Sequence, residues 1–222
     1  MNIIEINNLN FSYEKTEVLR NINFNIAENG FICLMGNNGS GKSTLLKILI
    51  GELKNYTGSV KIFNTELNTF NEWNKIGYVP QVDRNNITNF PISVREMILL
   101  NFYYDFNLFN LPKKKHLTLV EEVLHSFKIE HLADKNFNEL SGGQKQRVMI
   151  AKAMVHSPEL LIFDEPTVGV DAESKKVFYE LIDHLHKFHN ITIILVTHEL
   201  EFSDKLIDRK LVLKEKEIRE YV

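Results

Sequence analysis

Residues 36–44 read GNNGSGKST and carry the residue types that bind phosphate groups. Gly36, Gly41, Lys42 and Ser43 match the spacing G-x-x-x-x-G-K-S/T of a phosphate-binding loop. Glycines let successive backbone N–H groups face phosphate oxygens, and the following helix adds the positive end of its dipole. The lysine can reach the β- and γ-phosphates of a nucleotide, and the serine hydroxyl can coordinate Mg²⁺. We therefore predict ATP and Mg²⁺ as cofactors. The predicted loop residues are Gly36, Asn37, Asn38, Gly39, Ser40, Gly41, Lys42, Ser43 and Thr44.

Two carboxylates follow the apolar run at residues 160–163, LLIF. Ligands of open α/β sheets bind at the carboxyl edge of the strands, where Asp164 and Glu165 would lie. Asp164 would hold Mg²⁺, and Glu165 would act as the general base toward the attacking water. His198 follows the run ITIILVT, so its imidazole would reach the γ-phosphate at the same edge. Gln81 ends IGYVPQ and could touch the metal or the water.

A second possible anion site occurs in LSGGQKQR, residues 140–147. A serine and two glycines begin a helix with periodic apolar residues there. The free N–H groups of its first turn and the serine hydroxyl could bind an anion, although this site has no equivalent of Lys42. Two incomplete sites in one chain are explained if ATP is held between two copies, with the loop of one facing the LSGGQ of the other. We therefore predict an ATP-bridged homodimer that hydrolysis releases. The residues predicted to contact the partner's nucleotide are Ser141, Gly142, Gly143 and Gln144.

The remaining pattern predicts the elements that hold these groups in place. The first thirty residues alternate apolar and polar positions, which indicates antiparallel strands. FICLM, LLIFD and ITIILVT read as buried strands, and helical patterns lie between them. Strands alternating with helices predict an α/β fold with a mostly parallel sheet, an N-terminal antiparallel β part and an inserted helical subdomain. We predict a single domain over 1–222, with a core from 1–92 and about 158–222 and a helical subdomain at about 93–157.

Composition restricts the function classes. The chain has 222 residues, of which 44% are hydrophobic and 25% charged, as in ordinary globular proteins. Its net charge of -3 gives no reason to expect a nucleic-acid partner. The single cysteine, Cys33, lies in an apolar run and is expected to be a core residue. The N-terminus does not read as a secretion leader, so we expect a cytoplasmic protein.

These motifs, in this order, resemble the ATP-binding subunits of ABC transporters over nearly the whole chain. The loop at 36–44, Gln81, LSGGQKQR, LLIFDEP, TVGVD and His198 are similar to the Walker A, Q-loop, signature, Walker B, D-loop and switch histidine of that family. The resemblance implies that Tyr13 stacks on adenine and that Asp171 lies in a loop linking the two ATP sites. It also implies membrane permease partners, which attach the chain to the inner face of the cell membrane.

Two finer stretches resemble the ATPases of zinc and manganese uptake systems, the zinc ones more closely. These are NFPISVREMILL at 89–100 and DEPTVGVDAES at 164–174. The resemblance implies an extracytoplasmic metal-binding protein in the same system. The histidines of HLHKFH at 184–189 do not share one helical face, so we expect no metal site there. The hairpin at 211–218, LVLKEKEI, departs from the resemblance because the family often has a glycine in its turn.

Other classes compete with an importer subunit. A soluble ATP-driven switch is one, but its translation-factor form has two cassettes in a chain and its DNA-clamping form has a long coiled coil. A nucleotide-binding scaffold without activity is another, and the intact set of Lys42, Asp164, Glu165 and His198 argues against it. An ABC transporter for a different small substrate also stays open.

Overall fold

The structure is a computed structural model, and it describes residues 1–81, 91–106, 111–197 and 206–221. The strands are β1 (Asn2–Tyr13), β2 (Thr16–Ala27), β3 (Phe31–Met35), β4 (Thr57–Ile62), β5 (Thr65–Glu66), β6 (Ile76–Val79), β7 (Leu160–Asp164), β8 (Thr192–Val196), β9 (Arg209–Lys214) and β10 (Glu217–Tyr221). The α-helices are α1 (Lys42–Leu49), α2 (Val94–Leu99), α3 (Lys114–Ser126), α4 (Gly142–Met154) and α5 (Ala172–His189). Short 3₁₀ helices cover Leu67–Thr69, Trp73–Lys75, Leu100–Asp105, Glu130–Leu132 and Phe137–Glu139.

The strands form two sheets. The first has four strands in the order β2-β1-β4-β5, all paired antiparallel. The second has six in the order β10-β9-β3-β8-β7-β6, of which five are parallel and only β10 runs antiparallel. The α/β fold with a mostly parallel sheet and an N-terminal antiparallel part is therefore confirmed.

The central sheet is covered on both faces. In β7, Leu160 and Ile162 pack with α1 and the antiparallel sheet, whereas Leu161 and Phe163 pack with the helices on the opposite side. Successive strand residues point to opposite faces, so an uninterrupted apolar run is what a doubly covered strand requires. This arrangement fixes the carboxyl end of β7, and with it Asp164, within the body of the protein.

The helical region between β6 and β7 confirms the predicted insertion. Ser93 begins α2 with a capping box, in which Ser93 Oγ accepts from the Glu96 N–H and Glu96 accepts from the Ser93 N–H. Apolar residues of α2, α3 and α4 share one core with a face of the central sheet. The boundaries predicted at about 93 and 157 remain a prediction.

The C-terminal hairpin makes its turn without glycine. Glu215 and Lys216 both have left-handed backbone angles, with φ of 53° and 71°. Two positive φ values match the right-handed twist of hairpin strands, so the turn geometry is that of a tight primed turn despite the missing glycine. The Lys216 carbonyl accepts from the Arg20 N–H at 2.8 Å, and the Lys216 amine lies 3.2 Å from a carboxylate oxygen of Glu17. Contacts with β2 therefore hold the turn in place.

Within the ranges that the structure describes, no helix combines the length and apolar character needed to cross a bilayer.

Candidate nucleotide site

The loop between β3 and α1 depends on glycine at two positions. Gly41 directly precedes α1 and has φ of 107°, a conformation that side chains disfavour. At Gly36 an added Cβ would lie 2.5 Å from the carbonyl oxygen of Leu213, closer than real contacts allow. The glycines therefore let the loop turn sharply between strand and helix.

Lys42 is folded over this loop. Its amine donates to the carbonyl of Gly36 at 2.8 Å and to that of Asn37 at 3.1 Å, and the residue is only 6% exposed. The same amine lies 3.9 Å from a carboxylate oxygen of Glu165. Among the described residues, Ser40 Oγ is buried in the loop without a hydrogen-bond partner. A cation and an unpaired hydroxyl are thus available at the position predicted for phosphates.

Asp164 lies on the same face of β7 as Ile162, behind the loop. Burial raises the pKa of its carboxyl above the ordinary value, while a hydrogen bond from Ser43 acts in the opposite direction. Tyr78 of the neighbouring strand β6 also donates to Asp164, and burial together with this carboxylate raises the pKa of the Tyr78 phenol. A buried carboxylate whose charge is disfavoured, beside a serine hydroxyl, is a donor set that suits a small divalent cation.

Glu165 leaves the sheet in a strained conformation. Its φ is 46°, and its N–H donates to the Val196 carbonyl at 3.0 Å. Left-handed backbone at a residue other than glycine costs energy and persists only where the surroundings enforce it, as at functional sites. The turn directs the Glu165 side chain toward Lys42 and away from the strand.

A cleft of about 460 Å³ is lined by eight of the sixteen predicted ATP-binding residues, and we call it the nucleotide cleft. Tyr13 and Gln81 line it together with the loop. Tyr13 is half-exposed, and its ring packs perpendicular to that of Phe11, with 4.9 Å between the ring centroids. The lining residues of the cleft are Tyr13, Val18, Asn38, Gly39, Gly41, Lys42, Ser43, Thr44, Gln81 and Glu165. His198 was predicted to complete this site, and it lies outside the described residues.

The residues of the second predicted site lie in a different cleft, at the N-terminus of α4. Ser141 caps α4 by accepting from the Gln144 N–H at 3.3 Å, and Gln144 accepts in return from the Ser141 N–H at 3.0 Å. Ser141, Gly143 and Gln144 line this cleft of about 310 Å³, which we call the signature cleft. Among the described residues none lines both clefts, so one chain keeps the two sites apart.

Asp171 belongs to the region beside the signature cleft. Its carboxylate caps α5 by accepting from the Ser174 N–H at 2.9 Å, which lowers the pKa of Asp171. Gly143 packs so closely on the start of α5 that an added Cβ would lie 2.6 Å from Ser174 Oγ. The N-termini of α4 and α5 therefore meet directly. Gly142 begins α4 between Ser141 and Gly143.

Sequence reasoning missed two residues that contact this machinery. Tyr78 lies opposite Ile162 in the parallel register and so reaches Asp164. Gln146 is buried in α4 and donates to the Pro166 carbonyl at 3.0 Å. The alternation of IGYVPQ could have indicated the face of Tyr78, but its partner depends on strand register, which sequence alone does not give.

The histidines near the end of α5 contact different groups. His186 Nδ1 lies 3.0 Å from the Ile191 carbonyl oxygen, and its ring meets that of Phe31 at 5.5 Å. The His184 ring lies 5.7 Å from that of His189. Within the described part of the chain, no group of three or more metal-ligating side chains has the geometry to hold an ion.

A glycine-rich loop between a strand and a helix, with a lysine, a serine and two carboxylates at the same sheet edge, defines a P-loop ATPase. The chain belongs to the ABC transporter family, whose profile matches residues 19–168, and it is accordingly an ATPase that binds ATP. It is 43% identical over 198 residues to the zinc uptake system ATP-binding protein ZurA of Listeria monocytogenes, covering 89% of this chain and 77% of that protein. It is 38% identical to the high-affinity zinc uptake system ATP-binding protein ZnuC of Bacillus subtilis, covering 93% and 90%.

A solved structure of a dimeric bacterial ABC transporter cassette has the same fold. It superposes with a TM-score of 0.82 at 29% identity, covering 98% of this chain and 97% of that one.

Proposed function

We propose that this chain hydrolyses ATP to drive uptake of a divalent metal, zinc ahead of manganese, through a membrane permease. The observation that carries the proposal is the meeting of Lys42 and Glu165, 3.9 Å apart, at the wall of the nucleotide cleft, with Asp164 hydrogen-bonded to Ser43 behind them. A phosphate-facing cation, a buried carboxylate and a second carboxylate at the cleft wall are the parts that phosphoryl transfer to water requires.

We assign Mg²⁺ to Ser43 and Asp164, with Gln81 at the edge of the same cleft. The fit rests on the buried Asp164 carboxylate, whose raised pKa marks a charge that a cation would stabilise. Bound Mg²⁺ would neutralise charge that develops on the transferred phosphoryl group. Oxygen donors of this kind are those that Mg²⁺ prefers.

The chain's own residues then have separate tasks. Lys42 leaves the carbonyls of Gly36 and Asn37 and binds the β- and γ-phosphates, while the loop N–H groups bind the remaining oxygens. Glu165 accepts a proton from the attacking water, and His198 orients that water at the γ-phosphate. Tyr13, which lines the cleft and is 44% exposed, stacks on the adenine.

We further propose that two copies of the chain bind ATP between them. The separation of the nucleotide cleft from the signature cleft supports this, because Ser141, with Gly142, Gly143 and Gln144, has no nucleotide of its own to bind. A two-fold pair brings each signature cleft to the partner's nucleotide cleft with one self-complementary surface. Asp171, at the start of α5, would lie between the two sites. The similar cassette solved as a dimer is consistent with this arrangement.

Ser141→Arg should block the ATP-induced dimer and leave ATP binding to the single chain intact. The long cation would enter the space of the partner's nucleotide, while the Ser141 site lies outside the chain's own nucleotide cleft. Size-exclusion chromatography with saturating ATP would measure dimerisation, and a fluorescent ATP analogue would measure binding. Ser126→Arg, at an exposed position of α3, is the matched control and should dimerise normally. Loss of ATP binding by monomeric Ser141→Arg would mean that both sites belong to one pocket.

The transport role rests on similarity to the two zinc uptake ATPases. In this proposal the chain attaches to the inner face of the membrane by docking on permease subunits, and a metal-binding protein outside delivers the cargo. The helical subdomain at about 93–157 would be the docking part, and 1–92 with about 158–222 the catalytic core. The metal passes through the permease, so no metal-binding residue is required in this chain.

Cells lacking this chain should grow poorly when zinc is chelated and recover when zinc is added. A wild-type copy should restore growth and accumulation of radioactive zinc, whereas a Glu165→Gln copy should not, because transport requires repeated opening of the dimer. The measurement is zinc uptake per cell in a strain without a redundant zinc system, with manganese uptake as the parallel test. Normal uptake of both metals in the deletion strain would overturn the cargo and leave the ATPase assignment unaffected.

A further inference from the structure

A buried hydrogen bond links α4, which we call the signature helix, to the loop that follows Glu165. The Gln146 side chain is 5% exposed, and its Nε2 donates to the carbonyl oxygen of Pro166 at 3.0 Å. Pro166 is the residue immediately after Glu165. The bond therefore joins α4, which begins beside Ser141, to the backbone that carries the proposed general base.

The other side of Glu165 is held by the sheet. The Glu165 N–H donates to Val196 of β8, and the residue keeps its strained φ of 46°. Proline has no N–H, so the carbonyl is the one backbone group of Pro166 that can form a hydrogen bond. Gln146 makes that contact. The Glu165 carbonyl accepts separately from the Val168 N–H at 3.4 Å. If the contact from Gln146 were lost, the bond from the Glu165 N–H to the Val196 carbonyl and the bond from the Val168 N–H would remain, but the strained turn would have one restraint fewer.

A second contact joins α4 to the start of α5, the helix that follows this loop. Gly143 packs against Ser174 so closely that an added Cβ would lie 2.6 Å from Ser174 Oγ. Ser141 precedes Gln146 by five residues, a distance of about 7 to 8 Å along a helix. If a nucleotide displaced Ser141, about one and a half turns of α4 would transmit the displacement to Gln146.

We propose that Gln146 is a positioning residue that couples Ser141, in contact with the partner's ATP, to Glu165 in the chain's own nucleotide cleft. This inference rests on the proposed function and the homodimer. In the assembled pair, engagement of one nucleotide by α4 would align the base that acts on the other. The coupling acts on turnover: ATP binding depends on the loop at 36–44, which Gln146 does not contact.

Gln146→Leu should lower kcat for ATP hydrolysis about tenfold, because a buried carbonyl loses its partner and the turn loses a restraint. KM for ATP should change by less than about twofold, since substrate binding and transition-state alignment are separate contributions. Gln146→Asn keeps the amide but is one methylene too short to reach Pro166, so it should behave in the same way. It also provides the test if Gln146→Leu does not fold.

Asn101→Leu is the matched control. The Asn101 amide also donates to backbone carbonyls, those of Ile98 and, at 3.2 Å, Lys152 at the far end of α4. Its loss should affect thermal unfolding to a similar degree but leave kcat within about twofold of wild type. A purely structural role for Gln146 predicts instead that both variants behave alike.

Gln146→Leu in a chain that also carries Glu165→Gln separates an effect on coupling from an effect on dimer assembly. There Gln146→Leu should leave the ATP-bound dimer intact by size-exclusion chromatography, because the contact acts on the base that has already been removed. An unchanged kcat for Gln146→Leu, a dimer lost in the double variant, or an equal loss of kcat in Asn101→Leu would each overturn the inference. Absence of ATP hydrolysis by the wild-type chain would refute the proposed function itself.

Discussion

Lys42→Ala should abolish productive ATP binding and lower hydrolysis by about 100-fold or more, in the range found when a principal charge-stabilising group is removed. Among the described residues that line the nucleotide cleft, Lys42 is the one cation, and the loop around it offers neutral N–H and O–H donors. Its amine is already held over the loop by two carbonyls. A charged donor to phosphate is roughly twice as strong as a neutral one, and alanine provides no substitute.

The measurement is the affinity for a fluorescent ATP analogue together with phosphate release by the purified chain. Lys54→Ala removes an exposed lysine shortly after α1 and serves as the control for loss of charge alone. It should bind and hydrolyse ATP like the wild type. Unchanged hydrolysis by Lys42→Ala would contradict the assignment of residues 36–44 as the phosphate loop.

Local spacing predicted those parts of the site that lie within one strand–loop–helix unit. The loop at 36–44 is such a unit, because its glycines, lysine and serine have their roles set by neighbours a few residues away. The run LLIF also predicted a doubly covered strand, and Leu160 to Phe163 are all buried. Asp164, the next residue, was therefore expected at the carboxyl end of this strand, where ligands of open α/β sheets bind.

Contacts that depend on register or on packing between elements could not be predicted. Tyr78 reaches Asp164 because β6 pairs with β7 in one parallel register, and a shift by one residue would turn Tyr78 to the other face. Gln146 reaches Pro166 because α4 packs against β6 and α5, and the two partners are separated by 20 residues of sequence. No short motif contains both partners. The turn at Glu215 and Lys216 is similar: its contacts with β2 support a conformation that the two residues would not favour alone.

The separation of the two clefts bears on the prediction that one chain carries two incomplete anion sites. A second helix N-terminus near the first would have enlarged one pocket, but Ser141 lies in a cleft that contains His131 and Arg147 and none of the residues that line the nucleotide cleft among those described. Packing of α4 against α5 and the sheet, visible in the Gly143–Ser174 contact, keeps it there. In the proposed dimer, a nucleotide in the first cleft would therefore meet the α4 N-terminus of the second chain.

Glu165→Gln should bind ATP normally, lower hydrolysis by about 100- to 1,000-fold and accumulate as an ATP-bound dimer. Glutamine keeps the size of the side chain but cannot accept the proton of the attacking water, and a positioned general base contributes about 10²- to 10⁴-fold. Binding should persist because the loop at 36–44 and Lys42 are unchanged. With turnover blocked, ATP stays between the two chains, and the equilibrium shifts toward the form that binds it.

Size-exclusion chromatography with saturating ATP and Mg²⁺ should show a dimer for Glu165→Gln, whereas the wild type, which turns ATP over, remains largely monomeric. Glu159→Gln is the matched control, because Glu159 directly precedes β7 as Glu165 directly follows it, and its exposed pair with Lys75 contributes little. That variant should hydrolyse ATP and elute like the wild type. A Glu165→Gln chain that stays monomeric at high concentration with saturating ATP would count against the ATP-bridged dimer. Wild-type hydrolysis by the same variant would mean that another group is the base.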